Sequence, residues 1–68
     1  MPYVNVRITK EPDTTPEKKA EVIRGITDVL VNVLGKNPNT TFVLIDEVEQ
    51  ENWGIGGMPT PEWRAKQK

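Results

Sequence analysis

One amphipathic helix between two strand-like segments limits the ways in which this chain can fold. Apolar residues recur at helical spacing between Pro16 and Gly35. This stripe comprises Val22, Ile23, Ile26, Val29, Leu30 and Val33. Thr14 and Glu17 have the spacing of a capping box, and Pro16 suits a first helical turn. We therefore predict one helix of about five turns, ended by Gly35 in a left-handed cap.

The segments on either side of this helix have the patterns of β-strands. In residues 3–8 apolar and polar side chains alternate, as in a strand with one buried face. In residues 41–48 the centre, residues 42–45, is apolar on both faces, so we expect an interior strand covered on each side. This order predicts two parallel strands joined by one right-handed crossover helix.

The chain is too small to cover such a sheet by itself. It has 68 residues, of which 35% are hydrophobic, so its core is thin. It has neither cysteine nor histidine, which removes disulfides and the commonest soft metal ligands. Two strands and one helix leave one face of the sheet bare. We therefore expect a homo-oligomer, with no metal and no cofactor.

Charge and hydropathy indicate which partners to expect. The net charge is −1, and no basic cluster exceeds the pair Lys18 and Lys19, so we expect no nucleic-acid binding. The apolar runs are too short to span a bilayer, and no signal-peptide pattern is present. These features favour a soluble cytoplasmic protein whose partner is a small-molecule substrate.

A glycine-rich segment, ENWGIGG, follows the second strand. Its glycines match neither nucleotide-binding spacing, and no lysine stands at the phosphate position. We predict instead a tight hairpin that carries Trp53, with the glycines supplying positive φ angles. By itself, this context favours Trp53 as an aromatic residue at an oligomer contact. Residues 58–68 are then a tail or hairpin extension of a single domain, residues 1–68.

Pro2 has two interpretations. Proline is tolerated at the first position of a strand, where its missing N–H does no harm. Alternatively, removal of Met1 would leave Pro2 with a free secondary amine, which is a base or nucleophile that no other residue type offers.

The order of these features resembles the 4-oxalocrotonate tautomerase family. The resemblance rests on an N-terminal Met-Pro that opens a strand, one crossover helix, a second strand, and an aromatic residue followed by GIGG. It covers nearly the whole chain and is weakest after Gly57. It implies an α+β fold: a βαβ protomer with a C-terminal β-hairpin, dimers with a four-stranded sheet, and a hexamer built as a trimer of dimers.

The resemblance also implies an activity and a site near subunit boundaries. Pro2 matches the family's catalytic proline, and Trp53 matches an aromatic residue that lines the pocket beside it. Partial desolvation lowers the pKa of such an amine, so it can act as a general base in a cofactor-independent keto-enol tautomerase. The alternatives are hydratase, dehalogenase or decarboxylase chemistry, with Asp46 or Glu47 activating water, or a non-catalytic homo-oligomeric module.

The sequence departs from the family at two positions. Relatives that act on dicarboxylated dienols use one arginine after the first strand and another inside the second strand. Here these positions fall in residues 10–14, where Lys10 is the candidate point charge, and at Val43. The arginines of the chain stand elsewhere, at Arg7, Arg24 and Arg64. We therefore expect a less charged, more apolar enol or carbonyl substrate that contacts Trp53 and Val43.

Overall fold

The computed structural model describes residues 1–67 and contains a βαβ unit, a hairpin and a short helix. Its elements are β1 (Tyr3–Thr9), α1 (Pro16–Leu34), β2 (Phe42–Val48), β3 (Gly54–Ile55), β4 (Met58–Pro59) and α2 (Thr60–Lys66). Single 3₁₀ turns at Pro38–Thr40 and Gln50–Asn52 precede β2 and β3. The α+β class, with a βαβ core and a C-terminal hairpin, is confirmed.

The two long strands pair in parallel over their whole length. One further backbone hydrogen bond extends the ladder at each end. The N–H of Phe42 donates to the carbonyl of Pro2 at 2.9 Å, and the N–H of Lys10 donates to the carbonyl of Val48 at 2.8 Å. Pro2 and Lys10 therefore mark the two opposite ends of the sheet.

The two faces of this sheet differ in cover. Strand alternation places six side chains on the face that packs against α1: Val4, Val6, Ile8, Val43, Ile45 and Glu47. The opposite face, which we call the open face, carries Tyr3, Asn5, Arg7, Phe42, Leu44 and Asp46. Its three large apolar side chains, Tyr3, Phe42 and Leu44, are 62%, 51% and 47% exposed. Cover for the second face of β2 therefore cannot come from the described residues of its own chain.

The ends of α1 follow from two local contacts. The helix begins at Pro16 and is capped by Thr15, whose hydroxyl oxygen accepts a hydrogen bond from the N–H of Lys18 at 3.2 Å. The predicted capping box of Thr14 and Glu17 is wrong, because the cap lies one residue later and places a lysine at its third position. Gly35 ends the helix at φ 67°, as predicted. Neither α1 nor α2 is both long and apolar enough to cross a membrane.

The predicted hairpin is confirmed, with a small shift. β3 and β4 pair antiparallel, and the turn between them uses Gly56 at φ 61° and Gly57 at φ 81°. Trp53 lies immediately before β3, at the base of the hairpin rather than within it.

The segment after the hairpin is more ordered than the sequence suggested. The sequence predicts a tail or hairpin extension for residues 58–68. β4 completes the hairpin, but Thr60–Lys66 forms a second helix. Lys68 lies outside the described residues. Thr60 is buried, and both its hydroxyl and its N–H donate to the carbonyl of Trp53, at 2.7 and 2.9 Å. This tertiary contact fixes the start of α2 against the base of the hairpin.

Candidate active site

Pro2 is half-buried at the point where β1 begins. The ladder uses its carbonyl, which accepts from Phe42, and does not require an N–H from its ring nitrogen. Proline therefore costs the sheet no hydrogen bond at this position. The nitrogen is available for other chemistry once it is freed from the peptide bond to Met1.

A pocket lies at the other end of the sheet. It has a volume of about 180 Å³ and is lined by Thr9, Trp53, Ile55, Thr60, Trp63 and Arg64. We call it the Trp53 pocket. The sequence predicted Trp53 as a pocket residue but missed the contribution of α2. One local signal was present: the Thr-Pro-Glu triplet at the start of α1 recurs at residues 60–62, where α2 begins.

Packing at the hairpin turn positions the second tryptophan. A methyl group added at Gly56 would lie 3.6 Å from Cδ1 of Trp63 and 3.8 Å from its Nε1, so the indole rests against this glycine. Together with the bonds from Thr60 to the carbonyl of Trp53, this contact holds the two indoles on the walls of one pocket.

Arg64 supplies the pocket's charge and pairs with Glu11. Nη2 of Arg64 lies 2.8 Å from Oε2 of Glu11, and Nη1 lies 3.3 Å from Oε1. The hydroxyl of Thr9 donates to the same carboxylate at 2.7 Å, and Nε2 of Gln50 does so at 3.1 Å. The hydrogen bonds from Arg64 and then Thr9 hold the pKa of Glu11 below its usual value of 4.5, and Glu11 raises the pKa of Arg64.

The structure does not bring Lys10 or Val43 to the Trp53 pocket. Nζ of Lys10 lies 3.4 Å from Oε1 of Glu49, and both side chains are exposed. Val43 pairs in register with Val4 at the Pro2 end of the sheet, on the face covered by α1. Their roles as substrate contacts stay predictions.

Asp46 and Glu47, the candidate water-activating carboxylates, are both engaged in ion pairs. Asp46 lies on the open face and accepts hydrogen bonds at 3.1 Å from Asn5 and from Arg7, which lower its pKa in that order. Glu47 lies on the opposite face and pairs with Lys19 of α1. In residues 1–67 no group of three or more acidic, histidine or cysteine side chains converges as a metal site.

Known proteins resemble this chain in sequence. The sequence profile of tautomerase enzymes matches residues 2–60, beginning at Pro2. A probable tautomerase of Dickeya dadantii, named K2, is 58% identical over 66 residues, which are 97% of either chain. The 2-hydroxymuconate tautomerase of Pseudomonas putida is 37% identical over 62 residues, 91% of this chain and 95% of that one.

A solved structure agrees with these sequence matches. The crystal structure of DmpI from Helicobacter pylori matches with a TM-score of 0.84 at 37% identity and covers 98% of both chains. The profile match and these relatives extend over nearly the whole βαβ unit and its hairpin. The chain therefore belongs to the 4-oxalocrotonate tautomerase family of the tautomerase superfamily and is an isomerase.

Proposed function

We propose that this protein is a cofactor-independent keto-enol tautomerase in which the amine of Pro2 is the general base and each active site joins two protomers. The separation of Pro2 from Trp53 supports the shared site most directly. β1 has seven residues and β2 runs parallel to it. At about 3.3 Å per residue, the two ends of the sheet lie roughly 20 Å apart.

A second copy resolves this separation. If two protomers pair with their strands antiparallel, the Pro2 end of one sheet lies beside the Trp53 end of the other. The unpaired outer edge of each strand pair and the open face both favour such association. We further propose that the dimers assemble into a homohexamer, as the family resemblance implies.

The reaction is a proton transfer between oxygen and carbon. The neutral amine of Pro2 removes the hydroxyl proton of the enol, which leaves an enolate and a proline ammonium. The ammonium then delivers the same proton to carbon: the electron pair of the carbon–carbon double bond forms the C–H bond, and an oxygen lone pair forms the carbonyl. No atom is gained or lost, and the amine is neutral again. Pro2 is already half-buried in the protomer, and in the proposed site desolvation would disfavour the cationic form of its free amine and so favour the neutral base.

The surroundings of Pro2 favour an apolar substrate. Tyr3 and Phe42 flank it at this end of the sheet, and both are aromatic. The nearest arginine along β1, Arg7, is paired with Asp46. A muconate carries two carboxylates, so the substrate named for the Pseudomonas relative needs more cationic partners than this end of the sheet and Arg64 of the Trp53 pocket supply. We therefore propose a substrate that carries fewer charges than a muconate.

Removal of Met1 tests the proline mechanism. With Met1 attached, the nitrogen of Pro2 is a planar, non-basic amide. Intact-mass analysis of separated fractions should find Met1 absent from active protein, and a Met1-bearing fraction should be inert in an assay of aryl-pyruvate enol ketonisation. Equal turnover by the two fractions would show that Pro2 only opens the strand.

A further inference from the structure

Arg64 is the one cationic side chain that lines the Trp53 pocket in the part of the chain that the structure describes. The other lining groups are two indoles, the side chain of Ile55 and two threonines. A pocket with flat apolar walls and one guanidinium suits a ligand with a flat apolar body and one anionic group.

The guanidinium keeps donors for such a ligand. Arginine has five N–H groups in a planar fork. Its hydrogen bonds within residues 1–67 go to Glu11 and use one N–H on each terminal nitrogen. The side chain lines the pocket and is 50% exposed, so it retains donors for a ligand beyond the two that Glu11 occupies.

Glu11 stands where an external carboxylate would bind. Its two oxygens face the two terminal nitrogens of Arg64, which is the geometry of a bidentate carboxylate. Thr9 and Gln50 hold Glu11 in this position from β1 and from the turn before Trp53. Its negative charge therefore opposes any second carboxylate that approaches the same guanidinium.

We propose that Arg64 binds the carboxylate of a substrate with a single carboxylate on a flat apolar body, and that Glu11 competes with it for the guanidinium. This inference rests on the proposed function, because it takes the Trp53 pocket to be part of the active site. It assigns the carboxylate contact to α2, although the family pattern places its arginines after the first strand and within the second. A contact made equally in the ground and transition states acts on KM more than on kcat.

Binding can be measured without turnover, because Trp53 and Trp63 both line the pocket and are the chain's two tryptophans. The probe is 3-phenylpropanoate, titrated by tryptophan fluorescence, and 3-phenylpropanamide is the neutral control of the same shape. Arg64→Gln should weaken binding of the carboxylate by about ten-fold or more and change binding of the amide little. Glu11→Gln should tighten binding of the carboxylate by about two- to five-fold.

The two variants separate ligand binding from a structural role. If the ion pair only fastens α2 to the sheet, Glu11→Gln will weaken both probes or leave both unchanged, and the inference fails. It fails also if the wild-type protein does not bind the carboxylate more tightly than the amide. Should Arg64→Gln unfold, Glu11→Gln still decides. Glutamine removes the charge and turns one carboxylate oxygen into a donor, but its remaining oxygen still accepts a hydrogen bond from Arg64.

A third variant separates this inference from the proline mechanism. Pro2→Ala should lose turnover and yet bind 3-phenylpropanoate with unchanged, Arg64-dependent affinity. If Arg64→Gln does not change binding of 3-phenylpropanoate while Pro2→Ala abolishes turnover, the carboxylate assignment is wrong and the proline mechanism is supported. If binding depends on Arg64 while Pro2→Ala turns over normally, the carboxylate site stands and the proline mechanism is wrong.

Discussion

Pro2 and Trp53 lie at opposite ends of the β1–β2 pair, because both strands run in the same direction and Trp53 follows the end of β2. Parallel pairing makes this separation a property of the βαβ unit and not of side-chain detail. One protomer therefore cannot place its own proline beside its own Trp53 pocket. Catalysis and assembly are therefore linked in the proposed site.

Charge placed at the centre of the open face should dissociate the protein. Leu44 is 47% exposed in the protomer and stands at the centre of that face. We expect Leu44→Glu to lower the molecular mass seen by sedimentation and to make unfolding occur at lower denaturant, since folding and association are linked by mass action. Asn32→Glu adds the same charge on exposed α1 and should keep the assembly intact. A Leu44→Glu protein of wild-type mass and stability would contradict the predicted role of this face.

Acidification below pH 4.5 should weaken the contact between Glu11 and Arg64 that holds α2. Because Arg64 and Thr9 lower the pKa of Glu11, its contribution to stability is present above the usual carboxyl value of 4.5 and is lost as the pH falls through the lowered value. Tryptophan fluorescence should report this loss as a transition below pH 4.5, since α2 carries Trp63. Glu11→Gln should remove that transition. A transition of the same size in Glu11→Gln would assign it to another carboxylate.

The hydroxyl of Thr60 should stabilise the pocket measurably. Thr60 is 4% exposed, and its Oγ1 donates to the carbonyl of Trp53 at 2.7 Å. Thr60→Val keeps the shape and the backbone hydrogen bond, so it should lower the free energy of unfolding by about 1–2 kcal/mol and raise KM. Thr27→Val makes the same atomic change at a hydroxyl that bonds the carbonyl of Ile23 within α1. Equal effects of the two variants on KM would show that Thr60 has no special role at the pocket.

Adjacent residues of β2 offer a matched test of substrate charge. Phe42 lies at the Pro2 end of the open face, away from Leu44 at its centre, and its N–H donates to the carbonyl of Pro2, whereas Val43 is half-buried on the face covered by α1. We expect Phe42→Arg to lower KM for a dicarboxylated dienol. Val43→Arg should instead lower the free energy of unfolding by about 2 kcal/mol, because it places a charge between helix and sheet. If Val43→Arg lowers KM and remains stable, Val43 is the substrate contact that the sequence suggested.

The sequence predicted what local patterns determine. Three local patterns each predicted an element at its observed place: the alternation in β1, the apolar stripe of α1 and the glycines of the hairpin. Each of these patterns depends on residues that are close together in the sequence. The helix cap lies one residue later than predicted, at Thr15, because Pro16 occupies the first helical position. α2 and the Arg64–Glu11 pair were not predicted. A seven-residue helix is too short to show a hydrophobic period in the sequence. Glu11 and Arg64 are 53 positions apart, so no local pattern predicts their contact.

The most direct test of the shared active site is complementation between two inactive chains. Pro2→Ala and Trp53→Ala should each have low activity as pure oligomers. Co-expression of the two chains with different affinity tags, followed by purification on both tags, yields mixed assemblies. In a mixed assembly, some sites contain both wild-type residues. At these sites the Trp53→Ala chain supplies Pro2 and the Pro2→Ala chain supplies Trp53.

Activity of the mixed assemblies distinguishes the two arrangements. If each site joins two protomers, about a quarter of the sites in a random one-to-one assembly are intact, and ketonisation of the aryl-pyruvate enol should recover to that fraction of the wild-type rate. If Pro2 and Trp53 of one chain formed the site, no mixed assembly would contain an intact site. Mixed oligomers no more active than the pure variants would contradict the shared site.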